Sequence, residues 1–99
     1  VSVLDDPSVA VRVEAAYGLA KMGELDVALP VLERALEHKS VDAVLHAARA
    51  IELLGPQARS AAEAMKDARQ RAEGSGTIKL FIRFSVDSFL DELDHSTGT

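Results

Sequence analysis

The stretch DDPSVAVRVEAAYGLAKMG, residues 5–23, decides the fold, because AVLHAARAIELLG at 43–55 says its second half again. Each stretch reads as an amphipathic helix with start and stop signals. Asp6-Pro7 supplies a capping side chain and then a proline at the first helical position, where a missing N–H is harmless. Val11, Ala15, Leu19 and Met22 follow at helical spacing and predict one buried face, which Gly23 ends. In the second version Ser40 is the cap, Val44, Ala47, Ile51 and Leu54 form the buried face, and Gly55-Pro56 stops the helix. Placing Gly23 on Gly55 takes a shift of 55 − 23 = 32 residues. The same shift pairs Ala15-Ala16 with Ala47-Ala48, Leu19 with Ile51 and Met22 with Leu54.

The segments between and after these helices repeat more loosely. A helix over 26–37 carries Leu29, Leu32, Ala35 and Leu36 on its apolar side, with Pro30 near its start expected to bend it. With one residue inserted in the turn, ALPVLERA at 28–35 faces AAEAMKDA at 61–68. A third unit is fainter. After EGSG at 73–76, read as a flexible joint, FIRFSVDSFLDEL at 81–93 matches AVRVEAAYGLAKM at 10–22, pairing Arg83 with Arg12 and Leu90 with Leu19. The β-branched and aromatic run TIKLFIRF at 77–84 leaves two alternatives, a strand or a helix that begins late, near Phe81.

Composition agrees with helices. Hydrophobic residues make up 47% of the 99, alanine leads them, and the aromatics are Tyr17, Phe81, Phe84 and Phe89. Small alanines suit close helix packing, so the expectation is an all-α fold. A formal charge of −5 argues against a broad nucleic-acid surface, which needs clustered Lys and Arg. Without cysteine there is no disulfide, thiol nucleophile or thiolate metal site, and the compartment stays unknown. No apolar run reaches the ~18 residues that a membrane span needs, so no membrane partner is expected.

A period in the low thirties built from two helices is the pattern of an α-solenoid. DPSVAVRVEAAYGLAKMG at 6–23 resembles the second helix of a HEAT repeat, with its Asp-Pro turn, Val-Arg, Ala-Ala pair and closing Leu-x-x-Gly. ALPVLERAL at 28–36 is similar to the first helix of such a repeat, proline included. The resemblance covers about residues 4–93 and implies an α-α superhelix of about two and a half HEAT-like helix pairs. Its units would be 1–23, 24–55 and 56–94, in a single domain over 1–94, with 95–99 a disordered tail. The family's laddering Asp and Arg match Asp6 and Arg12, whereas His38 and Val44 stand at those places in the second unit. More narrowly, LGPQARSAAEAM at 54–65 resembles the HEAT-like C-terminal tail of some bacterial sulfatases. The Cys or Ser followed by x-Pro-x-Arg of a sulfatase active site has no match here.

In such stacks the second helices line the concave side, and the resemblance therefore implies a protein-binding strip. It takes Glu14, Tyr17 and Lys21 from the first unit and Asp42, His46 and Arg49 from the second. The third adds Phe81, Ser85, Ser88 and Glu92. The plain alternative is a solvated face of mixed charge. Only VSVL at 1–4 precedes the first capped helix, so Val13 and Ala16 are expected to lack a covering partner. That end would then pack on another domain, on further repeats or on a second copy; a strictly monomeric isolated chain would count against this.

Catalytic and metal readings find little. His38 lies at a helix end, His46 between Asp42 and Arg49, and His95 near the C-terminus, with no HExxH arrangement among them. No serine sits in a G-x-S-x-G elbow, and the glycines at 74 and 76 lack a phosphate-loop lysine. Asp87, Asp91 and Glu92 crowd the C-terminal part of the last helix, where carboxylates oppose the helix dipole unless a cation compensates. Arg59, Lys66, Arg69 and Arg71 are diluted by Glu63, Asp67 and Glu73. The expected function is a non-catalytic interaction or scaffold module without metal or cofactor. The alternative is an accessory C-terminal segment that braces a larger, sulfatase-like hydrolase.

Overall fold

Ser8 opens the first helix. Its hydroxyl accepts the Val11 N–H at 3.4 Å, and α1 runs Val9–Lys21. The cap is thus Ser8, two residues later than the sequence signal at Asp6-Pro7, which lies outside the described residues. The computed structural model describes residues 8–97, with side chains through His95. After α1 come α2 (Leu25–Ala35), α3 (Val41–Leu54), a 3-10 helix (Gly55–Ala61), α4 (Ala62–Arg71) and α5 (Thr77–Thr97). No strand occurs among the described residues, so the chain is all-helical.

The 32-residue shift survives in the backbone. Ser8 and Ser40 are both N-caps, at φ −77°, ψ 119° and φ −78°, ψ 123°. Only Ser8 closes its cap through the side chain. At the other end of each helix Gly23 and Gly55 take positive φ, 92° and 67°, which lets the chain turn away without Cβ strain.

α3 occupies the centre. It packs against α1 on one side and α5 on the other, while α2 lies across α1 and α3 and α4 lies against α5. The extents are 39 × 36 × 16 Å. Two layers of helices need a thickness of about 14 Å, from an interaxial distance of ~9 Å plus two Cα radii of ~2.3 Å. The short axis therefore holds two layers. Alanines at the contacts make this closeness possible: Ala16, Ala28, Ala47, Ala48, Ala58 and Ala61 are all fully buried. Leu32, Leu36, Ile51, Met65, Ile82, Val86 and Phe89 fill the space between them. Burying each such large side chain contributes about 1.5–3 kcal/mol.

The buried faces of α2 and α3 are those expected. Leu29, Leu32, Ala35 and Leu36 are buried on the first, and Val44, Ala47, Ile51 and Leu54 on the second. In α1 the buried set is instead Val13, Ala16 and Ala20, whereas Val11 is 42% and Met22 77% exposed. Val13 and Ala16 are therefore not uncovered; of the face expected inside, Val11 and Met22 are open to solvent and Ala15 and Leu19 are half-buried. The reason is positional. α3 has a helix on each side, whereas α1 packs mainly on α2 and α3. The face of α1 that repeats the outer flank of α3 has no helix against it among the described residues.

Residues 77–84 are helical from Thr77 onward, with neither a strand nor a late start near Phe81. Gly76, at φ 126°, turns the chain, and its carbonyl accepts the Leu80 N–H at 3.1 Å. Ile82, Val86, Phe89 and Leu93 then fall at helical spacing and are all buried, so packing overrides the strand preference of the individual residues. α5 also continues through His95 to Thr97, where the sequence suggested a disordered tail; residues 98–99 lie outside the described part.

Two arginines fasten the last helices. Arg69 on α4 meets Asp87 on α5 in a bidentate pair, Nε to Oδ1 at 2.6 Å and Nη2 to Oδ2 at 3.2 Å. Arg83 reaches back from α5 and donates to the carbonyls of Ala72 and Gly74. The 73–76 segment expected as a flexible joint is thus tied to α5 at Gly74.

A candidate protein-binding cleft

The polar side of α1 and that of α3 meet in a cleft of about 350 Å³. Helical spacing places Glu14 and Tyr17 on one wall, and His46, Arg49 and Leu53 on the other. Val13 and Ala50 are the buried floor, half-buried Leu45 lines it, and Leu53, 69% exposed, forms an apolar rim. Lys21, outside the lining, holds its Nζ 5.4 Å from the Tyr17 ring centroid, a cation–π distance. Such a contact steadies the ring while leaving Tyr17 half-buried rather than sealed.

Of the strip expected from the sequence, Glu14, Tyr17, His46 and Arg49 come together here, with Lys21 beside them. The other residues lie elsewhere. Asp42 is exposed in the first turn of α3, and Ser88 is exposed on α5, both outside the cleft lining. Ser85 is buried, because it falls beside Val86 on the packed side of α5, so it is not a surface residue. Phe81 is exposed and pairs with Phe84, ring centroids 6.5 Å apart, rather than with the cleft. Glu92 stays exposed and lies away from the cleft, its carboxylate beside Gly55. A single ten-residue strip thus separates into one cleft and scattered positions. Leu53 escaped a reading that looked for polar residues, although its spacing from His46 and Arg49 puts it on their face.

The histidines differ in their bonding. His38 Nδ1 accepts the Ser40 N–H at 3.0 Å. His95 Nδ1 lies 2.9 Å from the Asp91 carbonyl, which only accepts, so here the nitrogen carries the proton. Among the described residues no group of three or more His, Cys, Asp or Glu is placed to hold a metal ion. The carboxylates of α5 have basic neighbours, Arg69 at Asp87 and, once its ring is protonated, His95 at Asp91.

His95 sits above its ordinary value of 6.5, through the hydrogen bond to the Asp91 carbonyl first and the Asp91 charge second. A raised folded value means that folding favours the protonated ring. The contribution is full below 6.5 and disappears as pH rises through the raised value. Amide protection at Asp94 and His95, measured by NMR from about pH 5 to about pH 9, is expected to fall across that window. His95→Gln should flatten the profile; an unchanged profile would assign the fraying to another group.

Comparison of the chain with family models, with curated proteins and with solved structures gives no match.

Proposed function

We propose that the chain is a non-catalytic HEAT-like interaction module, an α-solenoid segment of about two and a half helix pairs, that holds a protein partner in the cleft between α1 and α3. The observation that carries the reading is the convergence of Tyr17 and Arg49 over an apolar floor edged by Leu53. Tyr and Arg are the side chains that dominate binding energy at interfaces, and they do so beside apolar contacts that exclude water. Glu14 and Arg49 give the lining both signs of charge, which serves orientation more than affinity. The solenoid part of the reading is supported by the matched caps Ser8 and Ser40 and by the order α1, α3, α5 across the slab. Exposed Val11 and Met22 are where a preceding repeat or neighbouring domain would pack in such a stack.

The test replaces Tyr17 and Arg49 together with alanine. Proteins retained by the wild-type chain should bind the double variant roughly a hundredfold more weakly, as two interface anchors of ~1–2 kcal/mol each imply. Far-UV circular dichroism and thermal stability should stay unchanged. Equal affinity for both chains would remove the cleft as the binding surface. The accessory-segment reading rests on the resemblance of residues 54–65 to a sulfatase tail. The intact mass of the gene product, with the coding frame sequenced upstream of Val1, separates the two, since a catalytic α/β domain there would favour the accessory role and further helical repeats the solenoid.

A further inference from the structure

A second cavity, of about 380 Å³, opens where the α2–α3 connection meets the C-terminal end of α4 and the first turns of α5. It shares no lining residue with the α1/α3 cleft. Its floor belongs to the core: Val44, Ala68, Ala72 and Ile82 are all buried. Its rim is basic, with Lys39, Arg71 and Lys79 set against the single carboxylate of Glu37. In a chain of net charge −5 this is a local reversal of sign.

The cations on this rim are unequally engaged. Arg71 is fixed, its Nη2 donating to the Leu36 carbonyl at 3.0 Å and its Nε to the Asp67 carbonyl at 3.4 Å. It forms a charged wall that joins α4 to the end of α2. The ammonium groups of Lys39 and Lys79 have no ion-pair partner among the described residues. Like charges gathered over a low-dielectric floor repel one another, and an anion between them relieves that repulsion. A concave space of a few hundred Å³ with an apolar floor and a few charged groups at one side is the form that small-molecule sites take.

We propose that this cavity binds a small anionic amphiphile, with a carboxylate or phosphate head held between Lys39 and Lys79 and a short aliphatic chain lying on Val44, Ala72 and Ile82. The division of labour follows from the lining. The floor offers dispersion and desolvation without a polar partner, so it suits methylenes. The rim offers charge-assisted donors, so it suits an anionic head. A neutral alcohol of the same length would fill the floor but leave both ammonium groups uncompensated. A polyanion would satisfy the rim and leave the floor wet.

The experiment titrates the full chain with octanoate, octyl phosphate and octanol, reading the amide resonances of Val44, Ala72 and Lys79. At least one anionic probe is expected to saturate these shifts, while octanol is not. Octanoate alone would identify a carboxylate head, octyl phosphate alone a phosphate head, and both together a site that reads charge. Lys39→Gln combined with Lys79→Gln should weaken the bound probe by roughly tenfold or more, because two charge-assisted contacts are lost. Neither lysine contributes an ion pair to the fold, so the variant should keep its melting temperature. The proposal is overturned if neither anionic probe saturates the shifts, if octanol binds as well as they do, or if the double variant binds unchanged.

Discussion

Phe89→Ala is expected to lower the free energy of unfolding by about 3–5 kcal/mol, the range for truncating a fully buried aromatic side chain. Phe89 is 0% exposed and the largest of the fully buried side chains. It sits in the middle of the Ile82, Val86, Phe89, Leu93 series that fixes α5 to the rest of the core. Neighbouring alanines cannot expand to fill the space it leaves, so most of the cavity persists. Since domains of this kind hold only about 5–15 kcal/mol in total, the loss removes a large share of the stability and should lower the unfolding midpoint markedly. Urea unfolding followed by circular dichroism measures the loss. Phe84→Ala is the control: Phe84 is 57% exposed and on the same helix, so its removal should cost about 0.5 kcal/mol or less. Equal losses at the two positions would mean that α5 presents a different face to the core.

That pair of residues also shows what the sequence could and could not convey. Phe84 and Phe89 are identical in type and lie in one helix, and only the periodicity of their neighbours separates them. Ile82, Val86 and Leu93 share a face with Phe89, but the β-branched and aromatic run from Thr77 onward has strand-like local preferences that obscure this period. In α2 and α3 local preference and burial agree, and the buried residues could be named from spacing. In α1 spacing allowed two apolar faces, Val11–Ala15–Leu19–Met22 and Val13–Ala16–Ala20. The second is the buried one, because α2 and α3 lie against it. Nothing within residues 9–21 encodes which flank a neighbour will occupy. The cleft was half legible for the same reason. Residues of α1 and α3 that shared a helix face could be grouped, whereas the turn of Ser85 inward and of Glu92 toward Gly55 depends on how α5 is seated.

Gly55→Ala should cost about 1–3 kcal/mol, the range for forcing a side chain into a backbone region that only glycine occupies comfortably. Gly55 closes α3 at φ 67°, ψ −145°, and there the chain enters the 3-10 helix that leads to α4. Backbone conformation is the first component of the cost. The second, smaller, is space: a Cβ on Gly55 would stand 3.4 Å from Glu92 Oε1 of α5, at the limit of ordinary contact with the end of a flexible side chain. Gly23 separates the two components. It holds the equivalent place after α1, at φ 92°, with nothing within 4 Å of an added Cβ, so Gly23→Ala pays the conformational cost alone. Gly18 supplies the opposite sign. It lies inside α1 with open space around it, and alanine there should stabilise by about 0.5–1 kcal/mol because the helix gains propensity. Thermal unfolding of the three variants should therefore rank Gly18→Ala above wild type, Gly23→Ala below it and Gly55→Ala lowest. Should Gly23→Ala and Gly55→Ala prove equal, the backbone alone would set the cost and the Glu92 contact would be slack. A larger loss at Gly55 that Glu92→Ala partly restores would place the second component in the seat of α5. That seat matters beyond stability, since α5 carries Lys79 and Ile82 to the basic cavity.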